Sequence, residues 1–187
     1  MDKINNQSTM KKRIERLKNF NIIGTTNDSQ FDDLTELAAN LTDASICLIS
    51  FFDDEKQWIK SKIGFNQEYI LLKDSFCKNI TPNKDIFEVA NTLKDERFCD
   101  NKFVQNTPNI RFYAGVPLQD DEGFLIGSLS IMGDKPRKLD EKEKNTLTAI
   151  AKSIVKLVKN IEEQKQTKIY ENLFSHSDNF LMITSLN

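Results

Sequence analysis

Histidine is nearly absent from this chain: among 187 residues there is one, His176, and cysteine is confined to Cys47, Cys77 and Cys99. Three cysteines and a distant histidine supply no close-spaced ligand pair, so no zinc or other metal site is expected. An odd cysteine count, with no apolar core or small-residue cleavage site in the first residues, predicts reduced thiols in a cytoplasmic chain without a secretory signal. No apolar run approaches the roughly 20 residues that cross a bilayer, and the longest, 46–52, is interrupted by Ser50, so no membrane partner is expected. Nor does one sign of charge dominate. Lys and Arg number 26 against 28 Asp and Glu, a formal charge of -2, which argues against nucleic acid or anionic lipid as the main partner. The glycine-rich phosphate loop and the nucleophile elbow are also missing. His176 stands between two serines with no phosphoacceptor-type apolar helix after it, and reads as solvated loop. No catalytic set and no cofactor follow from these residues, so the chain is expected not to be an enzyme.

What is present is phenylalanine, 13 copies, and twelve of the 17 aromatics fall between Phe51 and Phe124, which points to a ligand or partner binder. Met10, Ile14, Leu17 and Phe20 recur at three or four residues and predict an amphipathic N-terminal helix with a basic outer face. After a loop at 24–29, with Asp28 or Ser29 as cap, a second helix runs to about Leu41, its stripe being Phe31, Leu34, Leu37, Ala38 and Leu41. Residues 45–52 are β-branched and aromatic and predict a strand buried on both faces; 57–63, carrying Trp58, is its returning hairpin partner. The stretch 65–110 is irregular, with one short strand at 86–90. A second hairpin joins 111–118 to 124–132 across the turn 119–123.

Asp140 and Glu143 form a capping box ahead of a long helix. Leu147, Ile150, Ile154, Leu157 and Ile161, flanked by Ala151, Val155 and Val158, predict one seam for the sheet and another for a partner helix. The order helix, helix, hairpin, irregular segment, hairpin, helix predicts an α+β fold. It is one antiparallel sheet with the terminal helices on one face and an irregular cover on the other. The expected division is 1–21 for the N-terminal helix, 22–160 for the domain, and 161–187 for a linker helix and the start of a further module.

Several short stretches, in order, resemble the GAF domain family over about 130 positions. They are Gly24-Thr25-Thr26, Phe31-Asp32-Asp33-Leu34, Leu37-Ala38-Ala39, Ile49-Ser50-Phe51-Phe52-Asp53, Gln57-Trp58-Ile59-Lys60-Ser61 and Ser75-Phe76-Cys77. Downstream stand Asp95-Glu96-Arg97-Phe98-Cys99-Asp100-Asn101, the run 111–118, Gly123, Ile126-Gly127-Ser128-Leu129, Pro136-Arg137 and Leu139. The resemblance is to the subgroup of bacterial signalling proteins in which such domains precede PAS, histidine kinase or cyclic-dinucleotide modules, as in two-component systems. It implies a sensory or regulatory module, a homodimer through its terminal helices, and an output domain on the same chain. Residues 170–183 are similar to the opening helix and first strand of a PAS domain, so the chain is expected to be a fragment of a longer receptor.

The resemblance also implies a cavity between one sheet face and the cover, for an unidentified small molecule. Ser50, Trp58, Phe76, Cys77, Phe87, Val89, Phe98, Phe112, Tyr113 and Leu129 are its expected lining. The plainer alternative is that these aromatics fill the core of a purely structural dimerisation or spacer module. Arg97 and Arg111 read as loop ties more readily than as anion ligands, because Asp95 and Asp100 are close. Asn101-Lys102-Phe103 matches the start of the cyclic-nucleotide signature, but its downstream part is absent. No cysteine has the histidine neighbour of bilin-attaching domains. Cys77 and Cys99 stand near the cysteines of GAF-type free methionine sulfoxide reductases without that family's flanking residues, which leaves reductase chemistry as a minor alternative. Cys47 is expected in the core.

Overall fold

The computed structural model describes residues 28–82 and 86–184. The predicted helix at 10–20 lies outside the described residues. α1 (Ser29–Thr42) starts at Asp28, whose carboxylate accepts from the Gln30 N–H, and stops at Asp43 in the left-handed region. β1 (Ile46–Phe52) and β2 (Lys56–Ile63) form the first hairpin, and β3 (Tyr69–Leu71) adds to its outer edge. β4 (Phe87–Val89) lies within the cover segment, among single turns of 3-10 helix at Leu72–Asp74, Phe76–Asn79 and Thr92–Lys94 and the short α2 (Lys102–Gln105). β5 (Phe112–Gln119) and β6 (Leu125–Gly133) form the second hairpin, and α3 (Glu141–Thr184) follows.

The six strands form one antiparallel sheet in the order β3-β2-β1-β6-β5-β4. Strand alternation divides the core in two. Cys47, Ile49, Phe51, Phe112, Ala114, Val116, Leu118, Ile126, Leu129 and Ile131 face α1 and α3. Ile46, Leu48, Phe52, Tyr113, Leu125 and Met132 face the cover. Because both faces of β1 are buried, its sequence is almost continuously apolar, as expected.

α1 sits differently from the expectation. Its buried face is Phe31, Thr35, Ala38, Ala39 and Thr42, while Leu37 and Leu41 are 45% and 54% exposed. The small residues let the helix approach the sheet closely, and the single Thr35 Oγ1 proton is shared between the Phe31 carbonyl (2.8 Å) and Ser61 Oγ (2.7 Å). These two bonds fix the rotation of the helix and turn the leucines outward.

The capping box of α3 is present: the Glu143 N–H donates to Asp140 Oδ1 (2.7 Å) and the Asp140 N–H to Glu143 Oε2 (2.9 Å). Leu147, Ile150, Ala151, Ile154 and Val158 are buried on the sheet, and Val155, Leu157 and Ile161 lean on the same cluster. The second seam therefore does not stand free at these positions. Further along, Ile169, Tyr170 and Leu173 are 49%, 61% and 62% exposed. The helix continues through His176, expected as loop, to Thr184, where the resemblance to a PAS domain implied a strand. A helix satisfies its backbone groups internally, whereas a strand needs a neighbouring strand to do so.

Candidate functional site

Seven of the ten expected lining residues meet on the cover face: Ser50, Phe76, Cys77, Phe87, Val89, Phe98 and Tyr113. Three do not. Phe112 and Leu129 belong to the helix-side cluster, because each is one residue out of phase with the cover-facing positions of its strand. Trp58 stands apart, its Nε1 donating to Asp53 Oδ2 (2.5 Å), its ring against Tyr69, and the Lys56 ammonium over both rings.

The cover-facing aromatics pack on one another. The Phe76 ring stacks on Tyr113 at 4.9 Å and 14°, and lies 4.9 Å from Phe98; Phe87 touches Phe98 and Tyr113 at about 6 Å. The Tyr113 ring lies over Gly115. A side chain at 115 would collide with the Tyr113 hydroxyl and with Ile80, so the small residue is what gives the ring its place.

Beneath the rings runs a buried polar chain that the sequence reading found only in part. Ser75 Oγ donates to Gln57 Oε1 (2.5 Å), and Gln57 Nε2 donates to Ser50 Oγ (2.8 Å). Ser50 meets Ser128 (3.3 Å), Ser128 meets Ser130 (3.1 Å), and Cys77 Sγ lies 3.1 Å from the Tyr113 hydroxyl and 3.2 Å from Ser128 Oγ. The Tyr113 hydroxyl also meets Ser130 Oγ (3.1 Å). Gln57, Ser75, Ser128 and Ser130 are the members missed. The signal was available, since Ser128 and Ser130 alternate on one face of a strand whose other residues are apolar. Burial pushes the Tyr113 phenol well above its ordinary value, with the adjoining Cys77 adding to the effect, so the hydroxyl stays neutral and hydrogen-bonded.

The cysteines divide by surroundings. Cys47 is in the helix-side core, where burial raises its thiol to about 12. Cys77 is held in the polar chain, whereas Cys99 is half-buried with its thiol toward the Glu96 carbonyl at 3.9 Å. Their sulfurs have different partners, and no thiol pair is formed between them.

The two arginines hold loops. Arg97 Nε and Nη2 donate to the two Asp95 carboxylate oxygens (2.8 and 2.5 Å), while its guanidinium covers Phe87 and Phe98. Those hydrogen bonds hold the Asp95 carboxyl below its ordinary value and raise Arg97. Arg111 Nη1 donates to the carbonyls of Val104 (2.8 Å) and Ile110 (3.1 Å). Among the described residues, no group of three His, Cys, Asp or Glu could hold a metal ion, and no helix is long and apolar enough to cross a membrane.

The GAF domain family model matches residues 27–157. A cyclic di-GMP phosphodiesterase of Pseudomonas aeruginosa is 40% identical over 110 residues, which are 59% of this chain and 19% of that protein, so the chain spans about a fifth of its relative. The GAF domain of an Acinetobacter phosphoenolpyruvate-protein phosphotransferase superposes with a TM-score of 0.60 at 16% identity, covering 85% of this chain and 98% of that one. A type II free methionine-R-sulfoxide reductase from Thermoplasma acidophilum gives 0.56 at 18%, over 71% and 92%. A GAF domain/HD domain protein from Geobacter sulfurreducens gives 0.60 at 11%, over 79% and 97%. At these identities the superpositions speak for the fold alone.

Proposed function

The chain belongs to the GAF domain family, and from that membership we propose that it is a non-catalytic regulatory module of a multidomain signalling protein, passing its signal along α3 to an output domain. The observation that carries this reading is the form of α3. At 1.5 Å per residue its 44 residues extend about 66 Å. Its first part is fixed on the sheet and against α1, and the part beyond Ile161 projects with Ile169, Tyr170 and Leu173 exposed. A stiff helix anchored at one end carries a rotation or shift of the domain to whatever grips its other end.

The projecting apolar residues favour a second copy of the chain as that grip, giving a cytoplasmic homodimer through paired helices. The sequence from Tyr170 onward is then the lead-in to a further, PAS-like module. The Pseudomonas relative favours an output acting on a cyclic dinucleotide. The mutual packing of Phe76, Phe98 and Tyr113 favours a cover face that serves the core; a small molecule entering there would have to displace that stack. Reductase chemistry is disfavoured by the separate partners of Cys77 and Cys99.

Sedimentation equilibrium tests the reading. The expected result is a reversible dimer for the chain and a monomer for the Tyr170→Glu/Leu173→Glu double variant. A monomer in both would overturn it.

A further inference from the structure

Among the described residues, β4 pairs with β5 only through Phe87, Glu88 and Val89, opposite Gly115, Ala114 and Tyr113. Beyond Gly115, β5 is therefore the margin of the sheet, and Pro117, which has no N–H to offer a neighbour, fits such a margin. α3 passes over it, but the shortness of β4 leaves a groove of about 340 Å³ between Thr148, Ala151, Lys152 and Val155 of the helix and Val116, Pro117 and Gln119 of the strand, closed at one side by Ile86. That volume is at the lower end of small-molecule sites, which run about 300–1,000 Å³.

The walls are mostly apolar, and Gln119, Asp120, Thr148 and Lys152 are their polar members. Gln119 Nε2 is buried and has no acceptor among the described residues. The Lys152 side chain is exposed on the groove, with no ion pair or hydrogen bond among the described residues. The Asp120 carboxylate and the Thr148 hydroxyl also line the groove, each with partners of its own. Asp120 Oδ1 is engaged by the N–H groups of Glu122 (3.0 Å) and Phe124 (2.9 Å), and Thr148 Oγ1 donates to the Lys144 carbonyl (2.8 Å).

We propose that this groove binds a small carboxylate with an apolar tail. The tail lies along Ile86, Val116, Pro117 and Val155, and the carboxylate accepts from Lys152 Nζ and from Gln119 Nε2, which a turn of the part-exposed Gln119 side chain brings into the groove. An amide donor buried without an acceptor is costly, and a ligand oxygen removes that cost while meeting the ammonium. An organic cation of the same shape would leave the amide unsatisfied and be repelled by Lys152. The site is on the opposite sheet face from the Tyr113 cluster and adjoins α3 directly, so an occupant bears on the helix itself. It does not depend on the dimer reading, since a monomer presents the same groove.

The test is titration of hexanoate into the 187-residue chain, followed by amide NMR. Expected are saturable shifts at the Gln119 side-chain amide and at the Thr148, Ala151 and Val155 backbone amides, with hexylammonium binding at least about tenfold more weakly. Gln119→Met should weaken hexanoate about tenfold without lowering the melting temperature, because it removes an unsatisfied donor. Val155→Trp, which fills the groove from a partly exposed position, should abolish the shifts. Absence of saturable shifts, shifts centred on Phe76 and Tyr113, or equal binding of hexanoate and hexylammonium would overturn the proposal.

Discussion

Tyr113 is fully buried, with its ring on Phe76 and its hydroxyl shared between Cys77 and Ser130. Tyr113→Phe keeps the ring but takes one partner from each of two buried groups, so it should destabilise the fold by about 1–3 kcal/mol in urea unfolding. At Asp95 the effect depends on pH. Arg97 holds the folded carboxyl below its unfolded value, so the pair stabilises above the ordinary carboxylate range and the contribution is lost as pH falls through the folded value. The Arg97 side chain is 49% exposed, which limits the gain to about 1 kcal/mol or less. Asp95→Asn should thus be slightly destabilising near neutrality, and the difference from the natural chain should vanish as pH falls below the ordinary carboxylate range and through the folded value in the same urea experiment. At this scale the sequence told residue type better than residue direction. Phe112 and Tyr113 are equally aromatic neighbours, and only the pairing of Phe112 with Gly133 and of Tyr113 with Met132 fixes which faces the cover.

Among the elements, those with a strong period were legible and those held by tertiary contacts were not. β1, β2, β5, β6 and the capping box of α3 follow from their residues alone. β3, with only Tyr69, Ile70 and Leu71, exists because β2 offers it an edge, and nothing local marks it as a strand. α1 shows the limit in the other direction. Leucine content pointed to a face through Leu37 and Leu41, whereas small residues and the Thr35–Ser61 hydrogen bond select the face through Ala38. Thermal and urea unfolding distinguish the two. Leu41→Glu should change stability by no more than about 0.5 kcal/mol, and Ala38→Leu, overpacking a site with no room, should cost about 1–3 kcal/mol.

For the whole molecule, the sheet with its two unlike faces is a platform for one long helix. The cover face is closed by its own rings and hydrogen bonds, the helix face carries α1 and the first half of α3, and the groove beside β5 opens onto that same helix. Antiparallel topology and the family were readable from the order of strands and short motifs. Of the polar chain through Gln57, Ser75, Ser128 and Ser130 only the alternation of the two β6 serines was readable, because the chain joins side chains from three separate segments. In the proposed dimer the projecting half of α3 is gripped by a second helix, since a single solvated helix of that length is only marginally stable in water. Amide hydrogen exchange over residues 163–173, at high and low protein concentration, measures this directly. The dimer requires protection well above coil rates that falls on dilution and in Leu173→Glu. Exchange at coil rates at both concentrations would contradict it.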